Sequence, residues 1–320
     1  MSTVLVLADV TPTGVRNATL ELLTAARALG EPAAVVCGPV ADDVTAALGA
    51  HGAATVYSIT ADAIDDFLAV PKVDALAAVA AQTSPTAVLI TSGPEGKDIA
   101  ARLAVRLDSG LVSDATSVAL EAGQVVATQS IVSGAYHATS VVTRGPAVIT
   151  MRPNTIAATE APSATAVEAV AVDLSATAKG AAITARNPKG STGRPDLTDA
   201  ATVVAGGRGV GSPEGFAVID QLADALGGAV GATRAVTDLG WAGHDIQVGQ
   251  TGKTVAPALY VAAGVSGAIQ HRAGMQSSKT IVAVNKDANA PIFAIADFGV
   301  VGDLHQILPA LVDEIGKRRG

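Results

Sequence analysis

The residues best equipped for chemistry lie between Gly264 and Lys279, in the stretch GVSGAIQHRAGMQSSK, where a hydroxyl, an amide and an imidazole interrupt a chain otherwise rich in Ala, Val and Leu. Polar groups in apolar surroundings must satisfy their hydrogen bonds, either within the fold or on a ligand. Ser266 and His271 are the types that a hydrolase pairs as nucleophile and base. Ser266, however, lacks the last glycine of a G-x-S-x-G elbow, because Ala268 stands there. Five positions along a helix also turn the two side chains about 140° apart, out of hydrogen-bond reach. Metal chemistry has no better footing. His51, His137, His244, His271 and His305 are scattered without an i, i+4 pair, and Cys37 is the single cysteine. GQTGKT, Gly249 to Thr254, places two residues between its glycines where a phosphate-binding P-loop has four.

What remains is a set of loops suited to cradling a ligand. GGRGVGSPEG, Gly206 to Gly215, follows an apolar strand and opens a helix, where glycines let backbone N–H groups approach a phosphate and Arg208 adds a charge-assisted contact. The alternative is a tight turn with a surface arginine. GATRAVTD offers Thr233 and Arg234, an arginine able to lie against a planar anionic group or to form a surface ion pair. VGQTGK brings Val248, Gly249, Gln250 and Thr251, with an amide and a hydroxyl that can meet ring heteroatoms or only cap a turn. Ser266 is a natural N-cap, followed by Gly267, Ala268 and Ile269, with Gln270 and His271 expected in the second turn. His271 reads either as a ligand group or as a satisfied structural histidine. Asn285 at a strand end and Asp303 at the start of the last helix, followed by Leu304, can bind or merely cap. All of these fall at the carboxyl ends of expected strands in one domain, where doubly wound sheets take a dinucleotide-sized ligand.

The elements that must position these loops follow from periodicity. TVLVLAD, AAVVCG, TVYSI and TAVLITS are short apolar runs, each followed by a segment of helical spacing, so the first hundred residues predict a parallel sheet with helices on both faces. From about Ser117, SVAL, QVVATQSIV, YHATSVVT, PAVITMR and AVEAVAVDL read as strands of an antiparallel appendage. ARNPKGSTGRPD, 185–196, reads as a linker. Alternation then restarts, with ATVVAGG, GAV, PALYVAAG, KTIVAVN and PIFAIAD as strands and a closing helix from Gly302. The expected architecture is α/β. A nucleotide-binding-like N-terminal domain with the appendage spans 1–196, and a doubly wound, Rossmann-like C-terminal domain spans 197–320.

Composition narrows the function. The 320 residues are 49% hydrophobic but 2% aromatic, and the net charge of -8 offers no basic face to nucleic acid. Cys37 alone gives no disulfide or dithiol and is expected to pack as a small apolar residue. MSTVLVLADV reads as a first strand and not a signal peptide, and no run approaches the ~18 apolar residues of a membrane span. A cytoplasmic protein without membrane insertion is expected.

The run LYVAAGVSGAIQHRAGMQSSKTIVAVNKD, with GGRG, GATRAVTD and VGQTGK before it and APIFAIADFGVVGDL after it, closely resembles the signature of the electron transfer flavoprotein α-subunit family. EGKDIAARLAVRL and PAVITMRP extend the likeness into the N-terminal part. The resemblance implies a heterodimer in which a β-subunit carrying AMP packs on the N-terminal domain, and non-covalent FAD held mainly by the C-terminal domain. It also implies a redox carrier that shuttles electrons in fatty acid β-oxidation from acyl-CoA and related dehydrogenases to a membrane quinone oxidoreductase. The positions matched to the flavin site are Arg208, Thr233, Arg234, Val248, Gly249, Gln250, Thr251, Ser266, Gly267, Ala268, Ile269, Gln270, His271, Asn285, Asp303 and Leu304. Of these, the resemblance implies Thr251 at the flavin N5, His271 near the pyrimidine carbonyl O2, Arg234 against the ring system, and Arg208 with Ser266 to Ala268 at the pyrophosphate. Thr233, Arg272 and Phe298 depart from the residues usual in the family, without removing a charge that the site needs. An FAD- or NAD-dependent oxidoreductase with its own small substrate is the competing expectation. It requires an acid–base pair near the ring, and none is legible here.

Overall fold

A computed structural model describes residues 2–132, 134–186 and 193–319. The chain divides into two compact units, Met1–Ser130 with His137–Pro188, and Lys189–Gly320 with Ile131–Tyr136. Residues 187–192 of the expected linker lie outside the described residues.

The first unit contains β1 (Thr3–Leu7), a two-residue pair β2 (Val10–Thr11) and β3 (Gly14–Val15), α1 (Asn17–Arg27), β4 (Glu31–Cys37), α2 (Asp42–Ala50), β5 (Thr55–Thr60), α3 (Val70–Thr83), β6 (Ala87–Thr91) and α4 (Pro94–Arg106). It continues with β7 (Leu111–Glu121), β8 (Gln124–Ile131), β9 (Tyr136–Val141), β10 (Ala147–Met151) and β11 (Ala166–Ala171). The sheet order is β11-β5-β4-β1-β6-β10-β7-β8-β9. Successive side chains on a strand point to opposite faces, so each strand serves two cores. Val4 and Val6 join Leu22 and Leu23 of α1 and Leu48 of α2 on one face. Leu5 and Leu7 join Leu76 of α3 and Leu103 of α4 on the other. Cys37 packs at the margin of this second core, and burial pushes its thiol up to about 12.

Two of the strands expected in the antiparallel appendage belong to the parallel body instead. β10, from PAVITMR, runs parallel to both β6 and β7, and β11, from AVEAVAVDL, runs parallel to β5 at the far edge. β7 and β8 do pair antiparallel. An apolar run fixes that a segment is buried, not which neighbour it meets. All five residues of β10 are buried, as befits an interior parallel strand.

The second unit contains β12 (Thr202–Gly206), α5 (Ala217–Leu226), β13 (Ala229–Ala232), α6 (Arg234–Asp238), β14 (Leu259–Ala263), α7 (Ile269–Arg272), β15 (Thr280–Asn285), β16 (Phe298–Val301) and α8 (Leu304–Arg319). Its strands lie in the order β13-β12-β14-β15-β16, every neighbouring pair parallel. One face is covered by Phe216, Ile219 and Leu222 from the α5 region and by Leu304 and Leu308 of α8. The other is covered largely by non-helical segments through Leu197, Val248, Val255, Met275 and Ile292. The last strand is displaced from its expected place. PIFAIAD forms a 3₁₀ turn over Pro291–Ala294, and the strand is the next segment, Phe298–Val301. Proline suits the first position of a helical turn, where its missing N–H is not needed. The Ile292 N–H then bonds Ser266 O at 3.0 Å while its side chain is fully buried. Among the described residues no helix is long and apolar enough to cross a membrane.

Two residues of α4 separate core from surface. Leu103 is fully buried and Val105 is 83% exposed. Leu103→Ala is expected to destabilise by about 2–5 kcal/mol and Val105→Ala by no more than ~0.5 kcal/mol, read as the shift in denaturant midpoint.

Candidate functional site

The sheet order of the second unit places a reversal between β12 and β14, since the chain leaves β12 for β13 on one side and returns at β14 on the other. Open parallel sheets hold ligands beyond the carboxyl ends of their strands at such a reversal. The loops leaving β12 and β14 meet there backbone to backbone. Gly207 N–H donates to Ala263 O at 2.9 Å and Gly209 N–H to Gly264 O at 3.0 Å. A Cβ on Gly207 would stand 2.2 Å from Gly264 O, and one on Gly209 would stand 2.7 Å from Gly264 Cα. No other residue type fits these positions. Arg208, between them, is exposed and begins a single 3₁₀ turn.

Thr233 joins the same corner, its N–H donating to Gly206 O at 3.0 Å. It occupies the N-cap of α6, yet its side chain makes no capping bond. Its Oγ1 is buried without a hydrogen-bond partner. An N-cap threonine ordinarily turns its oxygen onto the first-turn N–H groups. A buried hydroxyl left unmade costs about 1–3 kcal/mol, so this atom fits a polar atom supplied by a ligand. Arg234 follows, exposed, with Nε 3.2 Å from Asp238 Oδ2. An exposed i, i+4 pair of this kind holds the guanidinium only weakly.

The segment Val248 to Thr251 is fixed from both sides. Val248 N–H donates to Ala232 O at 2.9 Å, and Gln250 N–H donates to Gln270 O at 2.8 Å. Gly249 has φ +146°, and a Cβ there would lie 2.9 Å from Gln270 O. Gln250 and Thr251 remain exposed. Beneath them lies a network that sequence reasoning missed. Gln247 is buried, with Thr237 Oγ1 2.7 Å from its Oε1 and its Nε2 3.0 Å from Thr251 Oγ1. His244 Nδ1 lies 3.4 Å from the same Oε1. The one available signal was a buried-type position next to VGQTGK filled by an amide.

The opening stretch departs from expectation at its start. Ser266 does not cap the helix. α7 begins at Ile269 with Ala268 as N-cap, so Gln270 and His271 lie in its single turn. Gly267, at φ +86°, breaks the helical run, and a Cβ on it would meet Ile292 N at 2.3 Å. Ser266, Ala268, Ile269 and Gln270 are exposed, whereas His271 is buried. Both of its ring nitrogens have internal partners. Nδ1 lies 3.0 Å from Val248 O and Nε2 lies 2.9 Å from the Tyr260 hydroxyl. Burial pushes its pKa down to about 4, so the ring is neutral at ordinary pH.

Three of the expected site residues act within the fold. Asn285 donates from Nδ2 to Val265 O at 2.8 Å and accepts from Asp287 N–H at 3.0 Å, which holds the loop after β14. Asp303 Oδ1 accepts the His305 N–H at 2.9 Å and Oδ2 lies 3.1 Å from Lys286 Nζ. The His305 N–H, and then Lys286, hold its carboxyl below the usual range. Leu304 is a core residue, and its Cδ2 would stand 2.8 Å from a Cβ on Gly264. Arg208, Arg234, Gln250, Thr251, Ser266, Ala268, Ile269 and Gln270 are the expected site residues left exposed at this sheet end, above the buried Thr233 hydroxyl.

Residues 4–177 match the family model described as the electron transfer flavoprotein domain, and residues 196–276 match the electron transfer flavoprotein FAD-binding domain. The chain is 51% identical to the electron transfer flavoprotein subunit alpha of Mycobacterium tuberculosis (strain ATCC 25618 / H37Rv) and 49% identical to that of Mycobacterium leprae (strain TN), each over 100% of both chains. It is 39% identical to the same subunit of Bacillus subtilis (strain 168), over 97% of this chain and 96% of the relative. With one family model spanning more than half of the chain and relatives aligned end to end, this protein belongs to the electron transfer flavoprotein α-subunit family, a family of electron carriers.

Proposed function

We propose that this chain is the α-subunit of a heterodimer that holds FAD at the carboxyl end of β12–β16 and passes electrons from acyl-CoA and related dehydrogenases to a membrane quinone oxidoreductase. The observation that carries the reading is the buried, unpartnered hydroxyl of Thr233 beside a crossover that Gly207, Gly209 and Gly264 clear of side chains. A boundary near residue 196 separates this cofactor unit from one that docks on the β-subunit, the chain expected to carry AMP.

When bound, the flavin supplies redox chemistry that no side chain here provides. The chain's own residues bind and orient it. Arg208, exposed at the sheet end, would give a charge-assisted contact to a phosphate oxygen of the bound cofactor. Arg234 would bring a permanent positive charge to a ring bound there, the sign that a reduced, anionic flavin favours. Thr251 presents a hydroxyl held in place by Gln247.

Three outcomes test this. Arg208→Ala is expected to weaken FAD retention roughly tenfold to a hundredfold while leaving the flavin's potential nearly unmoved, since a charge-assisted hydrogen bond is worth ~1.5–3 kcal/mol. Equilibrium dialysis of the complex measures it, and undiminished retention assigns Arg208 to the surface. Arg234→Ala should make the one-electron potential more negative by tens to about 130 mV, given that ~1.4 kcal/mol corresponds to about 59 mV. A potentiometric titration that matches the parent removes Arg234 from the ring. Expressed alone, the chain should self-associate on light scattering, and with its β-subunit it should run as a monodisperse αβ pair. A stable, flavin-loaded monomer sinks the heterodimer.

A further inference from the structure

We propose that Tyr260 is a positioning residue that, together with the Val248 carbonyl, locks His271 as the neutral imidazole with its proton on Nδ1. The lock ties β14 to the Val248–Thr251 segment and to α7 at one point. It gives His271 a role different from the one that the family resemblance implies, because no ring N–H is left to offer a ligand.

The tautomer follows from the partners. A carbonyl oxygen only accepts, so the 3.0 Å contact between Val248 O and Nδ1 requires the proton on Nδ1. In the neutral ring Nε2 is then a lone pair, and the Tyr260 hydroxyl, 2.9 Å away, donates to it. The two rings are tilted by 55° with centroids 6.1 Å apart, so the contact is a hydrogen bond at the ring edge and not a stack. Tyr260 is fully buried and His271 is 6% exposed, so water does not compete for either group.

The surroundings oppose a charge on the ring. Burial is the largest influence on His271, the Val248 carbonyl works against it, and no charged side chain is among the causes. From β14 the group facing the ring is Tyr260, whose own ionisation is pushed up by burial. From the 248–251 segment it is backbone alone. On α7 Arg272 follows in sequence, and it is not among the influences on the ring. Under the flavin reading proposed above, on which this consequence rests, positive charge at the ring then comes from Arg234 and not from an imidazolium.

The test reads the imidazole directly. The full-length chain is labelled with ¹⁵N-histidine and purified with its β-subunit, and two-bond ¹H–¹⁵N correlation spectra are recorded from pH 8 to 5. His271→Gln identifies the resonances by their loss. The expected pattern is a protonated Nδ1 and a bare but hydrogen-bonded Nε2, unchanged across that range. In Tyr260→Phe the Nε2 resonance should move toward that of an unbonded lone pair. The protonation midpoint should rise by about one pH unit, because the neutral form has lost a donated hydrogen bond. A proton on Nε2 in the parent overturns the proposal, and so does titration near pH 6.5. Nitrogen shifts in folded Tyr260→Phe that match the parent also overturn it. If Tyr260→Phe does not fold, the parent tautomer still decides. A complex that contains no flavin absorbance would defeat the flavin reading while leaving the tautomer result intact.

Discussion

Where the loops leaving β12 and β14 touch, nothing but backbone separates them, and the arrangement of the second unit depends on that contact. Gly207 and Gly209 lie against Gly264 at distances that no Cβ tolerates. The contact sets where Gly206 O meets the Thr233 N–H, and hence where α6 begins. On the other side it brings Gly264 over Leu304, the first residue of α8. A methyl group at any of the three glycines would overlap the facing loop and force the two apart. Stereochemistry alone therefore accounts for three glycines in a region that the fold could otherwise fill with side chains.

Around this crossover polar groups divide into two sets. Gln247, Thr237, Tyr260, His271 and Asn285 are joined to one another or to backbone and hold the loops in place. Arg208, Gln250, Thr251 and Ser266 stand at the surface above them. Buried networks whose members are all satisfied are rigid, because each bond lost in a low-dielectric interior is costly. Thr233 is the exception, since it belongs to the buried set by exposure yet its hydroxyl has no partner.

Much of this was legible in the sequence, and the failures are instructive. The alternation of apolar runs with helical spacing identified α1 to α4 and their strands, because side-chain period is a local property. Pairing is not local, so nothing in PAVITMR or AVEAVAVDL announced that they would run parallel in the main sheet. PIFAIAD has the composition of a buried strand, but Pro291 at its head suits a helical turn, and the strand passed to the weaker-looking FGVV. His271 was open to two readings because the tyrosine that satisfies it, eleven residues earlier, reads in sequence only as part of an apolar strand. Gln247 was passed over for a similar reason, since an amide beside a glycine loop looks like surface until its burial is known.

The pairing of β11 with β5 has a consequence for synthesis. Ala166 lies opposite Thr55, so the last parallel strand of the first unit is made long after the edge that it covers. At ribosomal rates of about 5–20 residues per second, β5 waits on the order of ten seconds for its neighbour. During that interval the nascent sheet presents a free row of amide and carbonyl groups, the kind of edge that other strands add to. The order of strands in space thus asks the emerging chain to shield a sticky margin that its own later residues will eventually close.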